Sequence, residues 1–184
     1  YKHLKEKKIN SYRIDSELLL SESLNISKEE LILNLNKSIS FQKYADFLSK
    51  IHRRKINEPI AYILKKKEFW RNEFYINKNV LIPRPESEFI VEEALKIINK
   101  NQKKLILEIG IGSGCVITSV LKDRKNCFAL GIDSCENAIK IAKINAKLHH
   151  IENRIKIFKT DVDNFSSGKY DLIISNPPYI DKHQ

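Results

Sequence analysis

Residues 175–179, Ser175-Asn176-Pro177-Pro178-Tyr179, follow an apolar run and stop it abruptly. Two consecutive prolines stiffen the loop and carry no N–H, so nearby carbonyls are left to accept hydrogen bonds. The Asn176 side-chain carbonyl and the Pro177 main-chain carbonyl can together take both hydrogens of a flat –NH2 group. Tyr179 can lie against a planar amide or base beside Pro178. A nitrogen held in this way aims its lone pair at an electrophile, which is catalysis by positioning. A bare Pro-Pro loop is usually only a turn, so the reading depends on what surrounds it.

A second constellation is Glu108-Ile109-Gly110-Ile111-Gly112-Ser113-Gly114, after another apolar run. Glycine lets a backbone turn sharply and lets a ligand approach with no Cβ in the way. The spacing is not the dinucleotide fingerprint Gly-x-Gly-x-x-Gly, because the third glycine comes one residue early, and no P-loop Lys-Ser/Thr follows. Asp133 lies 21 residues after Gly112, at the end of the next apolar run. An acid there can accept both hydroxyls of a ribose; it can equally cap a helix starting near Cys135. Asp161 follows a further apolar run ending near Phe158, with Asp163 close enough to compete for the same role.

In this order the motifs resemble the Asn-Pro-Pro-Tyr class of S-adenosylmethionine-dependent methyltransferases, which act on glutamine N5 or on amino groups of nucleic-acid bases. Two further stretches narrow the resemblance. Leu81-Ile82-Pro83-Arg84-Pro85-Glu86-Ser87-Glu88 looks like a loop of the release-factor glutamine methyltransferases (the HemK/PrmC family), where Thr stands more often at the Ser87 position. Glu58-Pro59-Ile60-Ala61-Tyr62-Ile63, followed by Glu68-Phe69-Trp70, is similar to that family's linker. Glu108 departs from the commoner Asp.

The resemblance implies that Glu108, Gly110, Ile111, Gly112, Ser113, Gly114, Asp133, Asp161, Val162 and Asn176 hold S-adenosyl-L-methionine, later its product S-adenosyl-L-homocysteine. Asp161 would meet the adenine amino group and Val162 would pack on the ring. Asn176, Pro177 and Tyr179 would be catalytic. Together with Pro178, Arg84, Glu86 and Ser87 they would shape the pocket for the glutamine of a Gly-Gly-Gln loop in a peptide-chain release factor. The donor's sulfonium needs no metal. The rival readings are an adenine-N6 or guanine-N2 nucleic-acid methyltransferase, or a module that binds nucleoside or partner without catalysis.

The elements that must position these residues follow from periodicity. Residues 1–57 read as a helical bundle: Ser27-Lys28-Glu29-Glu30 fits a capping box, and Phe41, Tyr44, Phe47, Leu48 and Ile51 form a stripe expected to pack helix on helix. Residues 58–82 read as a linker with a hairpin turning at Arg71-Asn72-Glu73, after Pro59 ends a helix. Residues 83–184 alternate strands and helices: a helix from Ser87, as its cap, to Ile98, strands near 105–109, 128–133, 155–158 and 170–174, and helices near 113–123 and 135–148. Strands apolar on both faces imply a parallel sheet. The expected fold is therefore α/β: a helical bundle, a hairpin linker and a partial Rossmann-like class I methyltransferase domain. Such sheets have more strands than the four counted here, so a fragment is expected, as is a clipped start, since the chain begins Tyr1-Lys2-His3 without Met.

Composition sets the outer limits. The chain has 184 residues and a net charge of +10. The excess is spread, with 16 basic against 10 acidic side chains in residues 1–77 and 17 against 13 in the remainder. RNA or ribosome proximity would rest on Arg53-Arg54-Lys55 and Lys65-Lys66-Lys67. No apolar run is long enough for a membrane helix. Cys115, Cys127 and Cys135 make no metal-like spacing and read as reduced core residues of a cytoplasmic protein.

Overall fold

The computed structural model describes residues 1–34 and 36–177, which divide into two compact units after Lys65. Among the described residues the first holds five helices, α1 (Lys2–Glu6), α2 (Tyr12–Leu24), α3 (Lys28–Leu33), α4 (Phe41–Lys55) and α5 (Ile60–Leu64). The capping box forms as expected: the Glu30 amide donates to Ser27 Oγ and the Ser27 amide to the Glu30 carboxylate, both at 3.1 Å. Leu4, Ile9, Leu19, Ile51 and Ile63 make a small core with Phe47 against it. The stripe on α4 departs from the helix–helix reading. Ile51 is buried, but Phe41 is 84% exposed and Tyr44 and Leu48 also face solvent. Only the end of the stripe nearest the core is used by the bundle.

The basic run at the end of α4 is largely consumed by the fold. Arg53 grips Glu58 through Nε at 2.7 Å, and Arg54 Nε donates to the nearly buried Asp15 at 2.6 Å. Guanidinium forks suit such bidentate and buried pairing better than an ammonium does.

The second unit opens with an antiparallel hairpin, β1 (Lys66–Phe69) and β2 (Asn72–Tyr75). Its turn is Trp70-Arg71, one residue shorter and earlier than expected, with φ of 45° and 62°. A two-residue turn of this hand matches strand twist but asks for positive φ at both positions, which a bulky side chain resists. Three contacts hold it. The Trp70 amide donates to Glu88 at 2.9 Å, its indole N–H to Asp123 at 3.0 Å, and Asn72 Nδ2 to the Trp70 carbonyl at 2.7 Å.

A 3-10 turn at Pro85–Ser87 leads into α6 (Glu88–Ile97). Then come β3 (Leu105–Ile109), α7 (Cys115–Asp123), β4 (Phe128–Asp133), α8 (Glu136–Leu148), β5 (Ile155–Lys159), a second 3-10 turn at Val162–Asn164, and β6 (Leu172–Ser175). The four strands β3 to β6 pair in parallel in the order β5-β4-β3-β6. Ile106, Leu107 and Glu108 are buried in succession, as a strand covered on both faces requires. This is the Rossmann-like arrangement that the alternating pattern implied. The chain runs from β3 through β4 to β5 on one side and returns beside β3 on the other. Open α/β sheets bind ligands in the crevice at the carboxyl ends of their strands, where the order reverses beside the first of them. Cys115 and Cys127 are buried as expected, but Cys135 is exposed at the start of α8. Among the described residues no helix is long and apolar enough to cross a membrane.

Candidate active site

A cavity of about 790 Å³ opens at the carboxyl ends of the parallel strands. Four loops converge on it: Arg84, Glu86 and Ser87 before α6, Gly110 after β3, Asp133 and Ser134 after β4, and Thr160, Asp161 and Val162 after β5. Ser175, Asn176 and Pro177 close it from β6. Residues spread over nearly a hundred positions of sequence thus face one space. Its size suits a small organic ligand.

Each wall has a local cause. Gly110 has a φ of +71°, and a Cβ built on it meets nothing within 4 Å, so the loop passes the cavity open-backed. The amides of Gly110 and Ile111 both donate to the Ile132 carbonyl, at 2.9 and 3.0 Å, which ties the turn to β4. Asp133 accepts from the Gly112 amide at 2.9 Å through one oxygen and from the Cys135 amide at 2.9 Å through the other. The cap reading of Asp133 fails, because Cys135 is the N-cap of α8 and Asp133 lies two residues before it. The carboxylate fastens the start of α8 through the Cys135 amide, and each oxygen keeps a lone-pair site for a further donor. Asp161 accepts from the Asp163 amide at 3.1 Å and so orders the second 3-10 turn, while Val162 is 48% exposed against the cavity.

Glu108, Ile111, Gly112, Ser113 and Gly114 lie behind this wall rather than in it. Ile111 and Ser113 are buried. Glu108 is buried at the end of β3, accepts from the Ile117 amide in the first turn of α7, and leaves its Oε2 without a partner among the described residues. Burial above all, with the charge of Asp133 beside it, pushes its pKa up to about 8. The folded state thus retains a proton that the unfolded chain releases near the ordinary carboxylate value. This makes the ligand-free fold lose stability as pH rises from about 4.5 to 8, with no further change above. Glu108→Gln keeps an acceptor for Ile117 and removes the titration. Its stability advantage over the parent should be small in acid and widen across that window, read by thermal melts in a pH series. Parallel melting curves would rule this out. Cys115, whose pKa is pushed up to about 12 by burial, is no nucleophile at neutral pH.

Ser87 was expected to cap α6 with its side chain; it makes no such bond. Its Oγ instead accepts from Asn176 Nδ2 at 2.9 Å. Pro178 and Tyr179 lie outside the described residues. The sequence reading missed the roles of Asn145 and Gly131 and the presence of Thr160 and Ser134 in the cavity wall. Asn145 is fully buried and pairs with both main-chain groups of Tyr75, at 2.8 and 2.9 Å, and with the Ser113 carbonyl at 2.8 Å. It links the hairpin, α8 and the glycine turn. Gly131 sits in β4 directly under Ile111, where a Cβ would come within 2.2 Å of Ile111 Cδ1. Thr160 and Ser134 could have been found as neighbours of Asp161 and Asp133. Among the described residues no group of three His, Cys, Asp or Glu side chains is gathered as a metal site.

A glycine turn after the first strand, a carboxylate ending the second and an acceptor loop ending the fourth, all around one crevice, define a Rossmann-like domain of the methyltransferase type. The chain belongs to the methyltransferase small domain family, whose model matches residues 88–184, and residues 1–64 match the PrmC N-terminal domain. It is 34% identical over 178 residues to the release factor glutamine methyltransferase of Caulobacter vibrioides, covering 96% of this chain and 62% of that protein. The enzyme of the same name from Buchnera aphidicola subsp. Schizaphis graminum is 37% identical over 168 residues, covering 91% and 60%. A bifunctional methyltransferase of Rickettsia typhi is 35% identical over 191 residues, covering 94% and 37%. The chain thus spans roughly three fifths of the length of the first two relatives.

Proposed function

We propose that this chain is the cofactor-binding and substrate-orienting part of an S-adenosylmethionine-dependent protein methyltransferase. Its substrate is the side-chain amide nitrogen of the glutamine in the Gly-Gly-Gln loop of a peptide-chain release factor. The observation that carries this is the meeting of Asn176 and Pro177 with Gly110, Asp133 and the Arg84–Ser87 loop around one cavity. The names and extent of the curated relatives support the choice of glutamine over a base.

The residues present suit the cofactor. Asp133 has acceptor capacity left at the strand end where a ribose would lie, Gly110 leaves space for close approach, and Val162 offers an exposed apolar surface to a base. Glu108, Ile111, Gly112, Ser113 and Gly114 support this site from behind, and Asp161 stands where it can accept from an exocyclic amine. When bound, the cofactor supplies an electrophilic methyl group on sulfur. The chain's own residues do the rest. An amide nitrogen is a poor nucleophile because its lone pair is delocalised into the carbonyl. Acceptance of both its hydrogens by Asn176 Oδ1 and the Pro177 carbonyl draws electron density back onto nitrogen and fixes its direction. Tyr179 and Pro178 would flank the amide plane. Arg84 and Glu86 present opposite charges at the cavity wall to the substrate loop.

Residues 1–57 would dock the release factor, 58–82 form a linker with the hairpin, and 83–184 belong to the methyltransferase domain. The exposed face of Phe41, Tyr44 and Leu48 on α4 suits docking of a protein. The engagement of Arg53 and Arg54 in ion pairs speaks against that run as an RNA site. The setting would be the cytoplasm. The test is to incubate the complete natural protein with donor labelled in its methyl group, plus release factor, RNA or DNA. Label on the release factor, mapped to the glutamine amide, is expected; label only on nucleic acid would overturn the proposal.

A further inference from the structure

We propose that Asn145 is a positioning residue that joins the hairpin to the glycine turn and so sets how firmly the cofactor is held. The inference rests on the reading of that turn as part of the S-adenosylmethionine site. Asn145 does not line the cavity; it acts from behind, on α8. Its exposure is 0%, and burial obliges a polar side chain to find partners. Those partners fix which way round the amide sits. The Tyr75 N–H can only donate, so Oδ1 faces it, at 2.8 Å. The Tyr75 and Ser113 carbonyls can only accept, so both Nδ2 hydrogens go to them, at 2.9 and 2.8 Å.

The two sides of this junction come from distant stretches of the chain. Tyr75 ends β2, and with its N–H and carbonyl both given to Asn145 the side chain stands in for a neighbouring strand. Ser113 lies within the glycine turn. On one side of it is Gly112, whose amide donates to Asp133, and on the other is Gly114, where a Cβ would come within 3.3 Å of Ala142 Cβ. Ala142 and Asn145 are three residues apart in α8 and share a face. That face seats the turn. A single torsion of the Asn145 side chain moves Oδ1 and Nδ2 together. The amide therefore cannot turn away from Ser113 without loosening Tyr75, and a hairpin displaced at Tyr75 pulls on the Ser113 carbonyl. Such coupling is reciprocal: a cofactor that steadies the turn also steadies the end of the hairpin.

The complete natural protein should be compared with Asn145→Ala, Tyr75→Pro, Tyr75→Ala and the pair Asn145→Ala with Tyr75→Pro. Proline removes the N–H that Oδ1 accepts, whereas alanine at 75 keeps it. Asn145→Ala and Tyr75→Pro should each raise the dissociation constant for S-adenosyl-L-homocysteine, and KM for the methyl donor, by about tenfold. Their kcat at saturating donor should stay within about threefold, because Asn176 and Pro177 are untouched. Tyr75→Ala should bind within about threefold of the natural protein. A residue that only holds the fold together would instead lower kcat through the active fraction at unchanged KM, which would overturn the proposal. The paired variant should bind no more weakly than Asn145→Ala alone; losses that multiply to about a hundredfold would overturn it too. A further measurement needs no variant. S-adenosyl-L-homocysteine titrated into the natural protein should shift the NMR signals of the Tyr75 amide and both Asn145 Nδ2 protons, although neither residue lines the cavity. Binding that leaves those signals unmoved overturns this proposal alone. No binding at all overturns the cofactor reading and this proposal with it.

Discussion

Asn176→Ala, made in the complete natural protein, is expected to lower kcat for release-factor methylation by about 10²- to 10³-fold, the usual loss when one preorganised polar contact at the reacting group is removed. The reason is chemical. On the proposed function the target amide must rehybridise towards a tetrahedral nitrogen, and acceptors on its hydrogens favour that change. Alanine leaves the Pro177 carbonyl as the one remaining acceptor and also empties the partner position of Ser87 Oγ. The fold should be little affected, because Asn176 is exposed at the end of β6. Binding of S-adenosyl-L-homocysteine should weaken far less than turnover falls, because Asp133, Gly110 and Val162 are untouched. Single-turnover methyl transfer alongside calorimetric titration separates the two. An Asn176→Ala protein that turns over normally would leave the cavity as a binding site only, the module reading without catalysis.

Much of the architecture was legible because it is local. The glycine turn, the apolar strands and the capping box at Ser27–Glu30 are each written within a few consecutive residues, and each formed near its expected place. What was missed depends on partners far apart in the chain. Asn145 lies inside the expected helix near 135–148 with nothing local to single it out, yet its amide meets Tyr75, 70 residues away, and Ser113, 32 away. No local pattern marks such a residue until the fold brings the three together. The stripe on α4 failed for the opposite reason. Periodicity establishes that Phe41, Tyr44 and Leu48 share a face with Ile51, but not how far the bundle extends to cover that face. The hairpin turn moved by a residue because Trp70 and Arg71 carry positive φ, normally left to Gly or Asn, and contacts from Glu88, Asp123 and Asn72 compensate. The site itself showed the same division. The residues at strand ends were readable one by one, whereas the bond from Asn176 to Ser87 was not, since a serine before a helix most simply reads as its cap.

Gly131→Ala carries the second large expectation. In the sequence this glycine sits unremarked within an apolar strand, where glycine ordinarily weakens pairing. Its place is explained by Ile111. That side chain leaves the glycine turn and lies across β4, so a Cβ on residue 131 would stand 2.2 Å from Cδ1, 3.2 Å from Cγ1 and 3.4 Å from Cβ of Ile111. Ile111 is 3% exposed and belongs to the buried core. A shift of Ile111 that reaches its Cβ strains the turn, whose Gly110 and Ile111 amides are bonded to Ile132 and whose Gly112 amide is bonded to Asp133. Overpacking of this kind costs about 1–3 kcal/mol, and it strikes at the contacts that hold Gly110 and Asp133 in register. The variant should therefore unfold at lower urea and bind S-adenosyl-L-homocysteine at least about tenfold more weakly, the equivalent of about 1.4 kcal/mol. The decisive comparison is the double variant. Ile111→Val deletes Cδ1, the atom in severest conflict, so adding it to Gly131→Ala should restore much of both losses even though alone it costs about 0.5–1.5 kcal/mol. Such a coupling of opposite sign is what a double-mutant cycle isolates. Strictly additive losses would mean that the two residues do not act on one another. The glycine turn would then owe its place to the hydrogen bonds its amides donate to Ile132 and Asp133.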